Sequence, residues 1–231
     1  MKPTAIVFDL FGTLLNIASL HDAVARVTDD PTAFIVTWRE KQIMYAFAGT
    51  IMQTYEDFEA MTRYGLQYAA AKYGVMIDQD EEHELLAAWE TLQPYPEAGA
   101  VLRTLRESGI PCAVLTNGTR GTAERALAYA ALTSSFDAVL SVDDVAAFKP
   151  QRRVYELVTD RFKTAPENVI FVTSNGWDAT GAATFGMAVA WCNRFALPAE
   201  TFGPPPRWTI DTLQALPGIV AQAKCRKVIS R

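Results

Sequence analysis

A carboxylate, Asp9, interrupts the apolar run AIVFDLFGTLL at residues 5 to 15, with Phe11, Gly12 and Thr13 directly behind it. A buried carboxylate needs cationic or hydrogen-bonding partners, because leaving water penalises its charged form. Groups of that kind recur at the ends of other apolar runs. The second run closes in Thr116-Asn117-Gly118, Lys149 follows the third in FKP, and the fourth closes in Thr173-Ser174-Asn175 with Asp178 three positions on. Taken singly, Thr-Asn-Gly reads as a turn or helix cap and Lys149 as a solvated lysine. Together they form a set suited to binding or turning over an anion, and Lys149 is the natural partner for Asp9.

Such a set requires elements that bring distant residues to one edge. The runs AIVFDL, CAVLTN, DAVLSV and VIFVTSN, followed by MAVAWCN, are apolar on both faces and rich in β-branched residues. They read as parallel strands covered on both sides by helices. Residues 97 to 108, 119 to 131 and 151 to 162 carry helical periodicity, so the pattern is a doubly wound α/β domain. Nearly 100 residues separate the first strand from the second. Within them FIVTWREKQIMYAFAG and FEAMTRYGLQYAAAKYG are amphipathic. The expected organisation is an α/β core over residues 1 to 16 and 93 to 231, with an inserted helical domain over 17 to 92. That insertion would stand over the C-terminal end of the first strand, where ligands bind in open α/β sheets. The PPP at 204 to 206 reads as a loop before a C-terminal helix.

Composition narrows the partners. The chain has 231 residues, is 50% hydrophobic and carries a net charge of -5. Its basic residues are dispersed, so nucleic acid is not an expected partner. No apolar stretch is long enough to span a membrane, and no signal peptide is evident. Cys112, Cys192 and Cys225 read as buried free thiols in a reducing cytoplasm. His21 and His83 lack metal-ligand spacing and read as surface residues.

FDLFGTL, LTNG, the later KP and NGWDATGA, in this order and with the long insertion, resemble the four motifs and the cap domain of the haloacid dehalogenase superfamily, whose core is Rossmann-like. Most of that superfamily are phosphatases with Asp-x-Asp-Gly-Thr in the first motif and a metal-holding Asp in the fourth. Here those places hold Phe11 and Ser174. Without the second anchoring carboxylate a hard dication is poorly held. Without an acid near Asp9, a leaving group that must be protonated departs slowly. Halide needs no proton, so the site suits displacement of halide from carbon with Asp9 as nucleophile. The narrower pattern resembles the L-2-haloacid dehalogenases, through the aromatic Phe11, the stretch Thr173 to Asp178, WREKQ at 38 to 42 and YEDF at 55 to 58.

This resemblance implies a cofactor-free, metal-independent hydrolase of short (S)-2-haloacids, haloacetates and 2-halopropionates, that inverts C2 through an Asp9 ester. Lys149 would keep Asp9 ionised and Thr13 would set its attack angle. Thr116 and the main-chain N-H groups of Leu10 and Phe11 would receive the substrate carboxylate. Arg39 and Asn117 would hold the departing halide, and Phe58 and Trp177 would form apolar walls. Asp178, with Asn175 and Thr173 beside it, would position or deprotonate the hydrolytic water; its alternative is to hold Lys149 in place. Tyr155 matches a family tyrosine, though its helical neighbours also suit plain packing. A homodimer is implied. The competing readings are a phosphatase that tolerates Phe11 and a binding protein that has lost catalysis.

Overall fold

The computed structural model describes residues 3 to 225. Six strands form one parallel sheet: β1 (Ala5–Phe8), β2 (Cys112–Thr116), β3 (Ala138–Ser141), β4 (Val169–Thr173), β5 (Ala188–Cys192) and β6 (Trp208–Ile210), in the order β3-β2-β1-β4-β5-β6. The chain builds outward from β1 to β3, then returns to pair β4 on the other side of β1. The crevice between the C-terminal ends of β1 and β4 is therefore the switch point at which open sheets bind ligands.

Alternation along the strands divides the core into two apolar layers. Ile6, Phe8, Val114, Ile170 and Val172 face one side, and Ala5, Val7, Leu115, Phe171 and Val189 the other. Successive strand residues point to opposite faces, and helices cover both, so both sets are buried. The covering helices are α5 (Ala98–Glu107), α6 (Arg120–Tyr129), α7 (Arg152–Phe162), α8 (Gly176–Phe185) and α9 (Leu216–Cys225).

Between β1 and α5 lie α1 (His21–Val24), α2 (Pro31–Met52), α3 (Phe58–Tyr73) and α4 (Gln79–Ala87). Their ends are set locally. Asp30 caps α2 by accepting from the Ala33 N-H, with Pro31 in the first turn, and Asp57 caps α3 by accepting from the Ala60 N-H. Asp78 and Glu81 make a reciprocal capping box on α4. The α2 and α3 helices approach closely at Gly65, where a Cβ would lie 2.9 Å from the Trp38 carbonyl oxygen. Trp38 Nε1 donates to the Thr62 carbonyl at 2.7 Å across the same contact.

Two elements depart from the expectation. The stretch after the prolines contains β6 before the C-terminal helix; three residues at a sheet edge, with Thr209 exposed, carry no periodic signal. The fourth motif is the start of α8, whose apolar and small residues lack a polar face. Cys112 and Cys192 are buried and free; the side chain of Cys225 lies outside the described residues. His21 and His83 are exposed. Among the described residues no helix is long and apolar enough to cross a membrane.

Candidate active site

Asp9 continues β1 by one residue, its N-H donating to the Val172 carbonyl at 2.9 Å. The residue is 6% exposed, and its partners come from the turn that follows β1 and from beyond the ends of other strands. Oδ1 meets Lys149 Nζ at 2.8 Å. Oδ2 accepts from Thr13 Oγ1 at 2.8 Å and Asn175 Nδ2 at 2.9 Å, with Thr173 Oγ1 at 3.5 Å. The turn that brings Thr13 back over Asp9 requires Gly12 in the left-handed region, at φ +90°. Thr13 Oγ1 in turn accepts from the Ser174 N-H at 2.9 Å, joining the first and fourth motifs.

Lys149 is 1% exposed and bridges two acids, with Asp178 Oδ2 at 2.9 Å on its other side. Its N-H donates to Asn117 Oδ1 at 3.0 Å, so the second motif fixes the third. Burial pulls the Lys149 ammonium down, but Asp178 and Asp9 outweigh it and leave its pKa above the ordinary lysine value. Asp178 is fully buried and its pKa is raised, chiefly by desolvation and also by Asp9, against the opposing pull of Lys149 and Tyr155. Tyr155 Oη donates to Asp178 Oδ1 at 2.7 Å; its own pKa is pushed far up by burial and by that carboxylate.

Thr116 Oγ1 accepts from the Gly118 N-H at 3.0 Å, which leaves its hydroxyl proton to give. Among the described residues the N-H groups of Leu10 and Phe11 donate to no protein acceptor. Asn117 Nδ2 likewise donates to none of them, its Oδ1 being committed to Lys149. Gly118 is required beside Phe11, because a Cβ there would stand 2.9 Å from Phe11 Cε2.

Arg39 reaches over this floor from α2. Its Nη2 donates to the Phe11 carbonyl at 3.4 Å and its Nη1 to Gln42 Oε1 at 2.6 Å. Its Cζ lies 5.9 Å from the Phe58 ring centroid and 5.8 Å from that of Trp89. Burial lowers its pKa to about 10, with Asp9 and Asp178 opposing, so it remains a cation at neutral pH. Phe58 is buried at the start of α3, against Phe148. Trp177 is only half-buried and packs edge-on to Phe47 of α2 at 5.1 Å, beside Pro150 and Phe202 on an outer groove.

Three contributors lie beyond the sequence-derived set. Gln42 holds Arg39 and is itself anchored to Thr62 Oγ1 at 2.5 Å. Trp89 packs edge to face with Trp38 and with Phe11, with centroids 5.6 and 5.8 Å away. Arg194, just past β5, donates to Ser174 Oγ at 3.1 Å, to the Thr13 carbonyl at 3.4 Å and to Glu97 Oε1 at 2.6 Å. Its position after a strand end was a usable signal; Trp89 had none, since an aromatic in a helical run reads as core.

Comparison with known proteins agrees with this geometry. The profile of the haloacid dehalogenase-like hydrolases matches residues 3–186. Haloacetate dehalogenase H-2 of Moraxella sp. (strain B) is 33% identical over 221 residues, covering 95% of this chain and 99% of that protein. (S)-2-haloacid dehalogenase H-109 of Pseudomonas putida is 35% identical over 208 residues, covering 89% and 93%. The L-2-haloacid dehalogenase of Xanthobacter autotrophicus superposes with a TM-score of 0.91 at 32% identity, covering 96% of this chain and 99% of that one. The same enzyme with chloropropionic acid covalently bound superposes at 0.90, with 31% identity and coverage of 99% and 100%. The chain is a haloacid dehalogenase-like hydrolase and belongs to the L-2-haloacid dehalogenase family.

Proposed function

We propose that the protein hydrolyses short (S)-2-haloacids to 2-hydroxy acids with inversion, through an ester on Asp9. The observation that carries this reading is a carboxylate held by Lys149, Thr13 and Asn175, with an aromatic, Phe11, where a proton donor for an alkoxide would stand. Ser174 Oγ accepts from Arg194, itself paired with Glu97, so this position offers a hard dication no carboxylate, which supports chemistry without a metal.

In the first step an Asp9 oxygen attacks C2, the C-O bond forms as the carbon-halogen bond breaks, and halide leaves with the electron pair. Arg39 and Asn117 Nδ2 receive the halide. The substrate carboxylate takes the Thr116 hydroxyl and the N-H groups of Leu10 and Phe11, while Phe58 excludes water. Trp177 contributes through its packing against α2. In the second step water adds to the Asp9 carbonyl carbon as Asp178 accepts its proton; the bond from that carbon to the ester oxygen then breaks, the product alkoxide takes the proton back from Asp178, and the hydroxy acid leaves with one oxygen from Asp9. Thr173 and Asn175 orient that water, and Tyr155 holds Asp178. Each Asp178 oxygen keeps a lone pair beyond its bond to Lys149 or Tyr155, so the residue both holds Lys149 and takes the proton.

The helices at 17 to 92 act as a cap that delivers Arg39 and Phe58. Exposed apolar side chains on α2 and α3, among them Val36, Met44, Ile51 and Tyr68, support a homodimer through these helices. The free buried thiols Cys112 and Cys192 fit a cytoplasmic protein.

Halide release from 2-chloropropionate in the presence of a chelator tests the reaction. Phosphate release from a generic ester that needs Mg²⁺, without halide release, would replace it with the phosphatase reading. With enzyme in excess in ¹⁸O-water, a single turnover is expected to label Asp9 and leave the product largely unlabelled.

A further inference from the structure

Arg39 differs from other arginines of the chain in the company it keeps. Arg194 and Arg125 each pair with a carboxylate at 2.6 Å, whereas among the described residues Arg39 makes no ion pair. The groups around its guanidinium are neutral: the Phe11 carbonyl, the Gln42 amide and the rings of Phe58 and Trp89. Cations withdrawn from water are normally compensated by a partner. Here burial pulls the pKa down to about 10 and no carboxylate in contact restores it.

A chain of three hydrogen bonds fixes which way the Gln42 amide faces. Thr62 Oγ1 gives its one proton to the Phe58 carbonyl, a turn back along α3, at 2.7 Å. Toward Gln42 it can then only accept, and Gln42 Nε2 donates to it at 2.5 Å. That leaves Gln42 Oε1 for Arg39 Nη1, at 2.6 Å. A flipped amide would set its NH₂ against a guanidinium that has donors alone. Gln42 is fully buried and Thr62 nearly so, so bulk water does not compete for either bond. A carboxylate at position 42 could also accept from Arg39, but it would offset the cation and bring no donor to Thr62. The amide orients the guanidinium and leaves its charge intact.

We propose that Gln42 and Thr62 are positioning residues for the departing halide: together they aim Arg39, and the neutrality of Gln42 leaves the whole charge of that guanidinium to the anion. The assignment rests on the dehalogenase reading and adds to it what sets the strength of the halide hold. It also ties two parts of the site together, since the chain of bonds starts at the main chain of Phe58.

Bromide added during turnover of (S)-2-chloropropionate, followed as lactate formed, reads that hold as an inhibition constant, which does not depend on the folded fraction. Gln42→Glu is expected to raise the constant about tenfold or more, because a carboxylate against Arg39 offsets its charge. Thr62→Val keeps the shape but removes the hydroxyl that fixes the amide; it is expected to raise the constant about threefold or more, as the loss of one hydrogen bond would. Thr62→Ser is expected to restore the wild-type value, and the two threonine variants carry the test should Gln42→Glu fail to fold. A purely structural role would lower the melting temperature and leave the bromide constant unmoved. Such a constant in Thr62→Val and in any folded Gln42→Glu, or wild-type turnover that bromide does not slow, overturns the assignment alone. No lactate from the wild-type protein overturns the dehalogenase reading and the assignment with it.

Discussion

Tyr155 and burial act in opposite directions on Asp178. Desolvation raises the carboxyl pKa, while the hydroxyl at 2.7 Å favours the ionised form. An acid whose pKa is raised loses its charge at a higher pH than an ordinary Asp. The acid limb of ester hydrolysis should therefore lie above the usual 3.8. Removing the hydroxyl in Tyr155→Phe should push it higher still, with a stability loss of about 1–2 kcal/mol from the lost bond to a buried charge. Single-turnover decay of the Asp9 ester against pH measures this; a limb that does not move would remove Asp178 as proton acceptor. Asp9, Lys149 and Asp178 were legible in the sequence because charged residues beside apolar runs demand partners. Gln42 was visible only as part of the WREKQ resemblance and Trp89 not at all, because their contacts with Arg39 depend on which faces meet.

The α2 and α3 helices show what an element contributes to the site. Arg39 is aimed by α2, Phe58 by the first turn of α3, and the two helices touch at Gly65 with no room for a methyl group. Gly65→Ala should force them apart against backbone atoms, costing about 1–3 kcal/mol by overpacking. The displacement should also lower kcat for halide release about tenfold or more, since small misplacements of positioning groups cost large rate factors. Thermal melting and kinetics together check it; a variant with wild-type melting and wild-type kcat would mean that α2 is aimed by other contacts. The two helices were readable from their periodicity. α8 was harder to read because a helix of small and apolar residues has no polar stripe, and β6 because three residues show no alternation.

Across the whole molecule, Lys149 ties β1 to α8 over the switch crevice. Its folded pKa is raised, so its stabilising contribution is fully present below the unfolded value near 10.5 and is lost only as pH climbs past the higher folded value. Lys149→Met would leave Asp9 and Asp178 buried without their cation. The expected loss at neutral pH is about 3–5 kcal/mol, typical of breaking a buried pair from one side. That deficit should shrink on acidification, as the elevated pKa of Asp178 lets it protonate early. Urea unfolding from pH 5 to 9 tests the trend; a deficit independent of pH would assign the loss to packing instead.

The α/β alternation, the long insertion and the polar group at each strand end are local properties, so the sequence by itself determined the layered fold and the charged groups that meet at the candidate site. Phe11, where the resemblance places an acid, was equally visible, because residue type alone shows that this position has no proton to give. The tertiary structure decided the rest. Strand order brings Asp9 against Thr173 and Asn175, and the packing of the inserted segment sets Gln42 and Trp89 against Arg39. Contacts between faces that are remote in the chain leave no periodic trace in it, and only packing reveals them.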